Sequence, residues 1–192
     1  MAQSAEGLRA SDAVHAERER TLSDRYGGFD WWADFIGWAV ALFFTLLFAG
    51  IAAAIVGGVG YQLDAPISAG DETTQRLGIG GLVGGLVAVF LGYLVGGHTA
   101  GRMARFDGVK NGIGVVLWTL VMALVLGALG AVLGEQFDLT SRLRLDVDRS
   151  TLTGAGLVSL AVTLVVMLGG AILGGKLGAG YHRRIDREAG VS

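Results

Sequence analysis

The sequence predicts an all-α, polytopic membrane protein with four transmembrane helices, and three observations support this class. Four stretches of about 20 residues or more lack Asp, Glu, Lys and Arg, which is enough helix to cross a hydrocarbon core of roughly 30 Å. Hydrophobic residues make up 52% of the 192-residue chain. The chain has 33 glycines and one proline, so the glycines are expected inside helices and not in disordered linkers.

The four stretches are expected to form helices at residues 35–61, 77–101, 112–134 and 152–178. Each is apolar on every side, whereas a helix of a soluble domain would carry a polar face. One central charge would cost about 2.5–3.5 kcal/mol on the insertion scale, so four uncharged stretches favour membrane insertion. We therefore expect a transmembrane domain at 31–182, preceded by a polar cytoplasmic segment at 1–30 and followed by a basic cytoplasmic tail at 183–192. The first apolar stretch begins too late and is too long for a cleaved signal peptide.

Basic residues predict the orientation. One side of the spans carries Arg9, Arg18, Arg20, Arg25, Arg102, Arg105, Lys110, Lys176, Arg183, Arg184 and Arg187. The other side carries Arg76, Arg142, Arg144 and Arg149. Because basic residues are retained in the cytoplasm, both termini are predicted to lie there. Trp31, Trp32 and Trp38 at the start of the first span favour the same orientation, since indole rings prefer the headgroup region.

The chain also shows signs of an internal repeat. An offset of 79 residues places Gly96 on Gly175, and an offset of 77 residues places Asp34 on Asn111. One interpretation is duplication of a helical hairpin, which would give two tandem hairpins related by an axis along the membrane normal. The other is chance similarity between glycine-rich helices.

Small residues at every fourth position predict helix-packing faces, because lipid provides no hydrophobic drive between helices and small side chains let backbones approach closely. The glycines expected at these faces are Gly81, Gly85, Gly92, Gly96, Gly127, Gly130, Gly134, Gly170, Gly174 and Gly178. The faces would serve either packing within one chain or association with a second copy or a larger membrane complex.

Asp34 and His98 are the polar candidates inside the spans, where such side chains are costly. His98 could titrate near neutral pH or bind a polar headgroup; in a structural role it would hydrogen-bond Asp34 or a backbone carbonyl. Asp34 suits a helix N-terminus and could pair with Arg102. No metal site is expected, because the chain has three histidines without helix-face spacing and no cysteine.

Two basic clusters next to the spans are expected to attract anionic lipid headgroups, at roughly 1 kcal/mol per residue near the surface. They are Arg102, Arg105 and Lys110, and Lys176, Arg183, Arg184 and Arg187. The lipid bilayer is thus an expected partner. Nucleic acid is not, since no basic face of any size lies outside the spans. No phosphate-binding loop, zinc-protease motif or nucleophile elbow occurs, so neither enzyme activity nor a cofactor is expected.

Four motifs carry a resemblance to a known group: Tyr26–Phe29, Gly101–Gly108, Leu173–Gly178 and Tyr181–Arg184. From about residue 16 to residue 188, the chain resembles a family of small four-helix membrane proteins of actinobacteria, distantly similar to the YrzE-like group. The resemblance implies a bacterial plasma-membrane location. It supplies no catalytic residues.

The sequence favours a non-enzymatic scaffold or accessory subunit that packs with itself or with a larger membrane assembly. A second hypothesis is a small channel or transporter formed by an oligomer, with His98 near the inner mouth of the pore. Against it, the sequence shows no acidic ring or polar stripe at the middle of the spans. A third hypothesis, a sensor of anionic lipid or envelope stress, rests on the basic clusters.

Overall fold

A computed structural model describes residues 28–62, 72–104, 107–137 and 154–188, together with Ala13, Val14, Glu17 and Thr21. Its long helices are α1 (Trp31–Gln62), α2 (Glu72–Met103), α3 (Gly108–Phe137) and α4 (Gly154–Glu188). All four are long and apolar enough to cross a membrane. The prediction of an all-helical chain with four such helices is therefore confirmed. The first three helices extend beyond both predicted ends, because backbone hydrogen bonding continues after the apolar stretch stops.

An aspartate precedes each of the two helices α1 and α3. Asp30 caps α1, since its Oδ1 accepts hydrogen bonds from the backbone N–H groups of Trp32 and Ala33 at 3.1 Å. Asp107 lies just before α3, and its side chain pairs with Lys110 at 3.0 Å. Both helices thus begin at a local polar signal that the sequence carries.

The helices contact one another unevenly along their length. α2 contacts α1, α3 and α4, and α3 also contacts α1 and α4. The close backbone contacts lie at one end of the bundle, over residues 28–45, 88–104, 107–119 and 164–180, which we call the glycine-packed half. The remainder of the spans, residues 46–59, 78–87, 120–132 and 156–163, is called the open half.

Glycines let neighbouring helices approach to backbone contact in the glycine-packed half. A β-carbon at Gly97 would overlap the backbone of Ala171, and one at Gly101 would overlap the backbone of Gly175. The core around these contacts is made mainly of small side chains, so it depends on close approach and not on large apolar volume. Its buried members are Ala41, Tyr93, Ala100, Val115, Val116 and Ala171.

The open half has few such contacts. A β-carbon at most of its glycines would meet no atom within 4 Å; these are Gly50, Gly57, Gly58, Gly78, Gly80, Gly81, Gly85, Gly127 and Gly130. Gly84 differs, since its β-carbon would lie 3.2 Å from Ala52 of α1. Large apolar side chains in this half are exposed, and Leu124 reaches 77%. Residues 1–27 of the predicted polar segment lie outside the described residues apart from the four single residues named above, and so do residues 63–71 and 138–153 between the helices.

Candidate functional site

Asn111 ties the chain before α1 to α3. Its Oδ1 accepts a hydrogen bond from the Asp30 backbone N–H at 2.9 Å, and its Nδ2 donates to the Gly28 carbonyl at 3.1 Å. The same Nδ2 donates to the Asp107 carbonyl at 2.9 Å. Gly28 has a φ of +135°, a backbone conformation that glycine adopts readily and other residues rarely. Because Asn111 is fully buried, this connection fixes the start of α1 against α3.

Asp34 lies one turn into α1 and is fully buried. Its carboxyl group lies against Gly114 of α3, where a β-carbon would overlap it. Neither Oδ1 nor Oδ2 has a hydrogen-bond partner. Buried polar groups are normally hydrogen-bonded, and intramembrane carboxyl groups are costly to keep. This carboxyl group is therefore the leading candidate for a functional group in the described part of the chain.

Aromatic rings lie beside the contact between Asp34 and Gly114. The ring centroid of Trp118 is 5.1 Å from that of Phe35 and 6.1 Å from that of Trp31, both in edge arrangements. Phe35 follows Asp34 in sequence, and Trp118 lies one helical turn after Gly114. The Trp118 Nε1–H is buried and also lacks a hydrogen-bond partner. A buried donor and a buried acceptor, both unpaired, thus lie along the same α1–α3 contact.

Three hydroxyl groups lie deeper in the spans, roughly three to four turns from the helix termini that lie in the glycine-packed half. The Tyr93 hydroxyl and Thr119 Oγ1 share a hydrogen bond of 2.6 Å between α2 and α3. Thr119 Oγ1 also donates to the Val115 carbonyl at 3.2 Å. Thr45 Oγ1 is buried beside Gly92 and has no partner. These groups were not predicted from the sequence, because the polar candidates sought within the spans were charged and histidine side chains.

The predicted partners of Asp34 are not found at its oxygens. Within the described residues, neither His98 nor Arg102 donates a hydrogen bond to the carboxyl group, so the Asp34 alternative for a structural role of His98 is not seen. The physical reason is that His98 lies on the side of α2 that faces α4. The backbone of His98 lies against Gly174 and Gly178 of α4, and the His98 residue is half-buried there.

The predicted headgroup-binding residues are spread over this end of the bundle. Lys110 is exposed and paired with Asp107, Lys176 is exposed on α4, and Arg102 is exposed and has an interaction of its own. Arg105 lies outside the described residues. Of Arg183, Arg184 and Arg187, the structure describes the helical main chain alone. Headgroup binding by these residues stays a prediction.

The predicted packing glycines separate into two groups. Those at close helix contacts are Gly92, Gly96, Gly170, Gly174 and Gly178. Those at which an added β-carbon would meet no atom within 4 Å are Gly81, Gly85, Gly127 and Gly130. For these four, a packing role within the single chain is not seen, because no atom of a neighbouring helix lies within 4 Å of the added β-carbon. Gly134 is helical, and its surroundings lie outside the described part.

Other contact glycines were not selected from the sequence. Gly37 and Gly114 both lie at close contacts between helices, as do Gly108, Gly112 and Gly175. The offset of 77 residues that places Asp34 on Asn111 also places Gly37 on Gly114. That offset was the sequence signal from which Gly37 and Gly114 could have been selected.

The described residues contain no group of three or more His, Cys, Asp or Glu side chains that could hold a metal ion. Comparisons with protein-family models, curated proteins and solved structures find no match to the chain. The resemblance to the actinobacterial family stays a prediction. The fold and the site together define a helical protein whose four long helices could cross a membrane. A buried, unpaired carboxyl group lies between two of its glycine-packed helices.

Proposed function

We propose that this chain is a non-enzymatic integral membrane protein that acts as a scaffold or accessory subunit through glycine-rich helix packing. The observation that carries the proposal is the set of unfilled glycine faces in the open half, on α2 and α3. In the glycine-packed half, the same four-residue spacing brings helix backbones together. Since small-residue faces in membranes favour close contact with other helices, a second copy or a larger complex is the expected partner.

Substitution of one open-half glycine tests this assembly. Gly85→Leu should reduce or abolish the native complex, because the added side chain would hold the partner helix away. Val83→Leu is the matched control, since Val83 lies on the same helix and is already 52% exposed. Native mass spectrometry of the protein extracted gently from its own membrane would measure complex mass and composition. A complex of unchanged mass in Gly85→Leu would contradict the proposal.

We also propose that the protein lies in a bacterial plasma membrane with both termini in the cytoplasm. The concentration of Lys and Arg on one side supports this orientation. Because the chain has no cysteine, single-cysteine variants report topology directly. An impermeant maleimide should label Ser68→Cys in intact cells and Ser192→Cys after lysis alone. The reverse pattern would invert the orientation.

The arrangement as two duplicated hairpins is part of the same proposal. The offset of 77 residues pairs Asp34 with Asn111. Each is the fourth residue of its helix, and both are fully buried. Asp30 and Asp107, paired by the same offset, each precede the first residue of a helix. These equivalent positions support duplication over chance similarity.

The second candidate function is a small channel or transporter built from an oligomer. It is favoured by the interior polar groups of Asp34, Thr45 and Tyr93, which were not recognised as a set from the sequence. Ion flux into liposomes that contain the purified protein would test it. Flux that Gly85→Leu abolishes would place the pore in the assembled form, whereas no flux from any ion gradient would exclude this candidate.

A further inference from the structure

We propose that Asp34 is a proton-exchange site, at which the carboxyl group takes up one proton when α1 packs against α3. This assignment goes beyond the scaffold function, because it places a ligand inside the bundle. It does not depend on any partner protein.

An ionised carboxylate at Asp34 carries an electrostatic cost in this buried position. Asp34 is 0% exposed, and neither carboxyl oxygen accepts a hydrogen bond. An ionised carboxylate buried without a partner is so unfavourable that such groups are found paired or neutralised. In this packed arrangement, a proton bound to the carboxyl group removes that cost.

The space between the Asp34 carboxyl group and α3 is small. Gly114 lies so close to the Asp34 carboxyl group that not even a β-carbon fits between α3 and the carboxyl oxygens. The hydrogen bonds from Asn111 to Asp30 and Gly28 hold the start of α1 in this position. An organic cation or an alkali-metal ion with its oxygen ligands needs more room than this, so the ligand is a single proton.

The same contact between α1 and α3 contains an unpaired hydrogen-bond donor. Trp118 Nε1 is buried without an acceptor, one turn after Gly114. A carboxyl group that carries a proton on one oxygen still has an acceptor lone pair on the other. Trp118 supplies a buried N–H along the same helix contact, and we expect it to serve this lone pair when the carboxyl group is loaded.

Charged groups of the neighbouring elements leave the Asp34 oxygens without a partner. Among the described residues, the titratable and charged side chains near this end of α1 and of the helices packed against it are Asp30, His98, Arg102, Asp107 and Lys110. Lys110 is paired with Asp107, and Arg102 has an interaction of its own. Asp30 is exposed and lies one turn before Asp34, and its carbonyl accepts a hydrogen bond from the Asp34 backbone N–H at 2.8 Å. None of these groups donates a hydrogen bond to the Asp34 carboxyl group.

Loading of the site and packing of the helices are linked by this geometry. A carboxylate that has lost its proton regains hydration when α1 separates from Gly114 of α3. A loaded carboxyl group can remain against the glycine backbone. Proton uptake is thus expected to close the α1–α3 contact, and release to open it.

Infrared spectroscopy of the full-length protein in lipid nanodiscs tests the proposal. In a buffer whose salt is choline chloride, at near-neutral pH, a proton at Asp34 gives a carboxylic-acid C=O band that shifts in D₂O. The band should vanish in Asp34→Asn and persist in Asp30→Asn.

The proposal is overturned if the wild type shows no such band, or if Asp34→Asn keeps it. Should Asp34→Asn fail to fold, Trp118→Phe takes its place, since it removes the buried donor of the same helix contact and retains a ring. A band that shifts in Trp118→Phe supports the site at Asp34. A band identical to that of the wild type in a folded Trp118→Phe protein places the proton elsewhere.

Discussion

The glycine-packed half and the open half use the same spacing of glycines, yet only the first forms close helix contacts within one chain. Gly92 and Gly96 meet the backbone of α1, whereas Gly81 and Gly85, on the same helix and also four residues apart, have open space. The difference lies in what stands opposite each glycine: α1 lies against Gly92 and Gly96, whereas a β-carbon at Gly81 or Gly85 would meet no atom within 4 Å. Glycine spacing therefore predicts that a face can pack, and it does not predict what the face packs against.

The two halves also differ in how they position polar groups. In the glycine-packed half, Asn111 bridges the start of α1 to α3, and Tyr93 bridges α2 to α3 through Thr119. In the open half, the described hydroxyl of Thr163 returns to its own helix, at the Ser159 carbonyl. Hydrogen bonds between helices thus coincide with the close backbone contacts, and they give that half a defined register.

The largest expected effect separates the halves by one substitution in each. Gly97→Ala should lower the free energy of unfolding by about 1–3 kcal/mol or more, because its β-carbon would overlap the Ala171 backbone. Gly85→Ala should be neutral or raise it by up to about 1 kcal/mol, since alanine is the better helix former and nothing obstructs it. Reversible SDS denaturation followed by circular dichroism measures both. Equal destabilisation by the two variants would remove the distinction between the halves.

A smaller effect is expected from the polar connection at the start of α1. Asn111→Ala should lower the free energy of unfolding by about 1–3 kcal/mol, because the Asp30 N–H and the Gly28 carbonyl lose their partner. Hydrogen exchange of the Asp30 amide should accelerate at the same time. Lys110→Ala is the control one residue away, and it should change stability by about 0–1 kcal/mol, since the pair is exposed. If the Asp30 amide exchanges no faster in Asn111→Ala, the connection does not hold the helix start.

Prediction from the sequence succeeded for the helices and was incomplete for the site. Uncharged apolar stretches determine where helices can cross a membrane. Each such stretch can be recognised from its own composition and periodicity, without knowledge of the rest of the fold. The lack of partners at Asp34 and Trp118 is a property of how α1 meets α3, which no single stretch encodes. Likewise, Gly85 and Gly92 look alike in sequence, because what lies opposite a glycine depends on the packing of all four helices together.

The smallest effect concerns the hydrogen bond between Tyr93 and Thr119. Tyr93→Phe should lower the free energy of unfolding by about 0.6 kcal/mol, the typical value for a hydrogen bond between membrane helices. Thr119→Val also loses the bond to Val115, so a double-mutant cycle is needed to isolate the interhelical contribution.

Thr163→Val is the matched control for this bond, because its hydroxyl bonds within its own helix and is exposed. It should show no coupling to Tyr93→Phe. A coupling energy near zero between Tyr93 and Thr119 would mean that glycine contacts alone define the packed half. A measurable coupling would mean that its interior hydroxyl groups also fix the register of α2 on α3, which the open half, lacking such a described bond, would have to obtain from a partner helix.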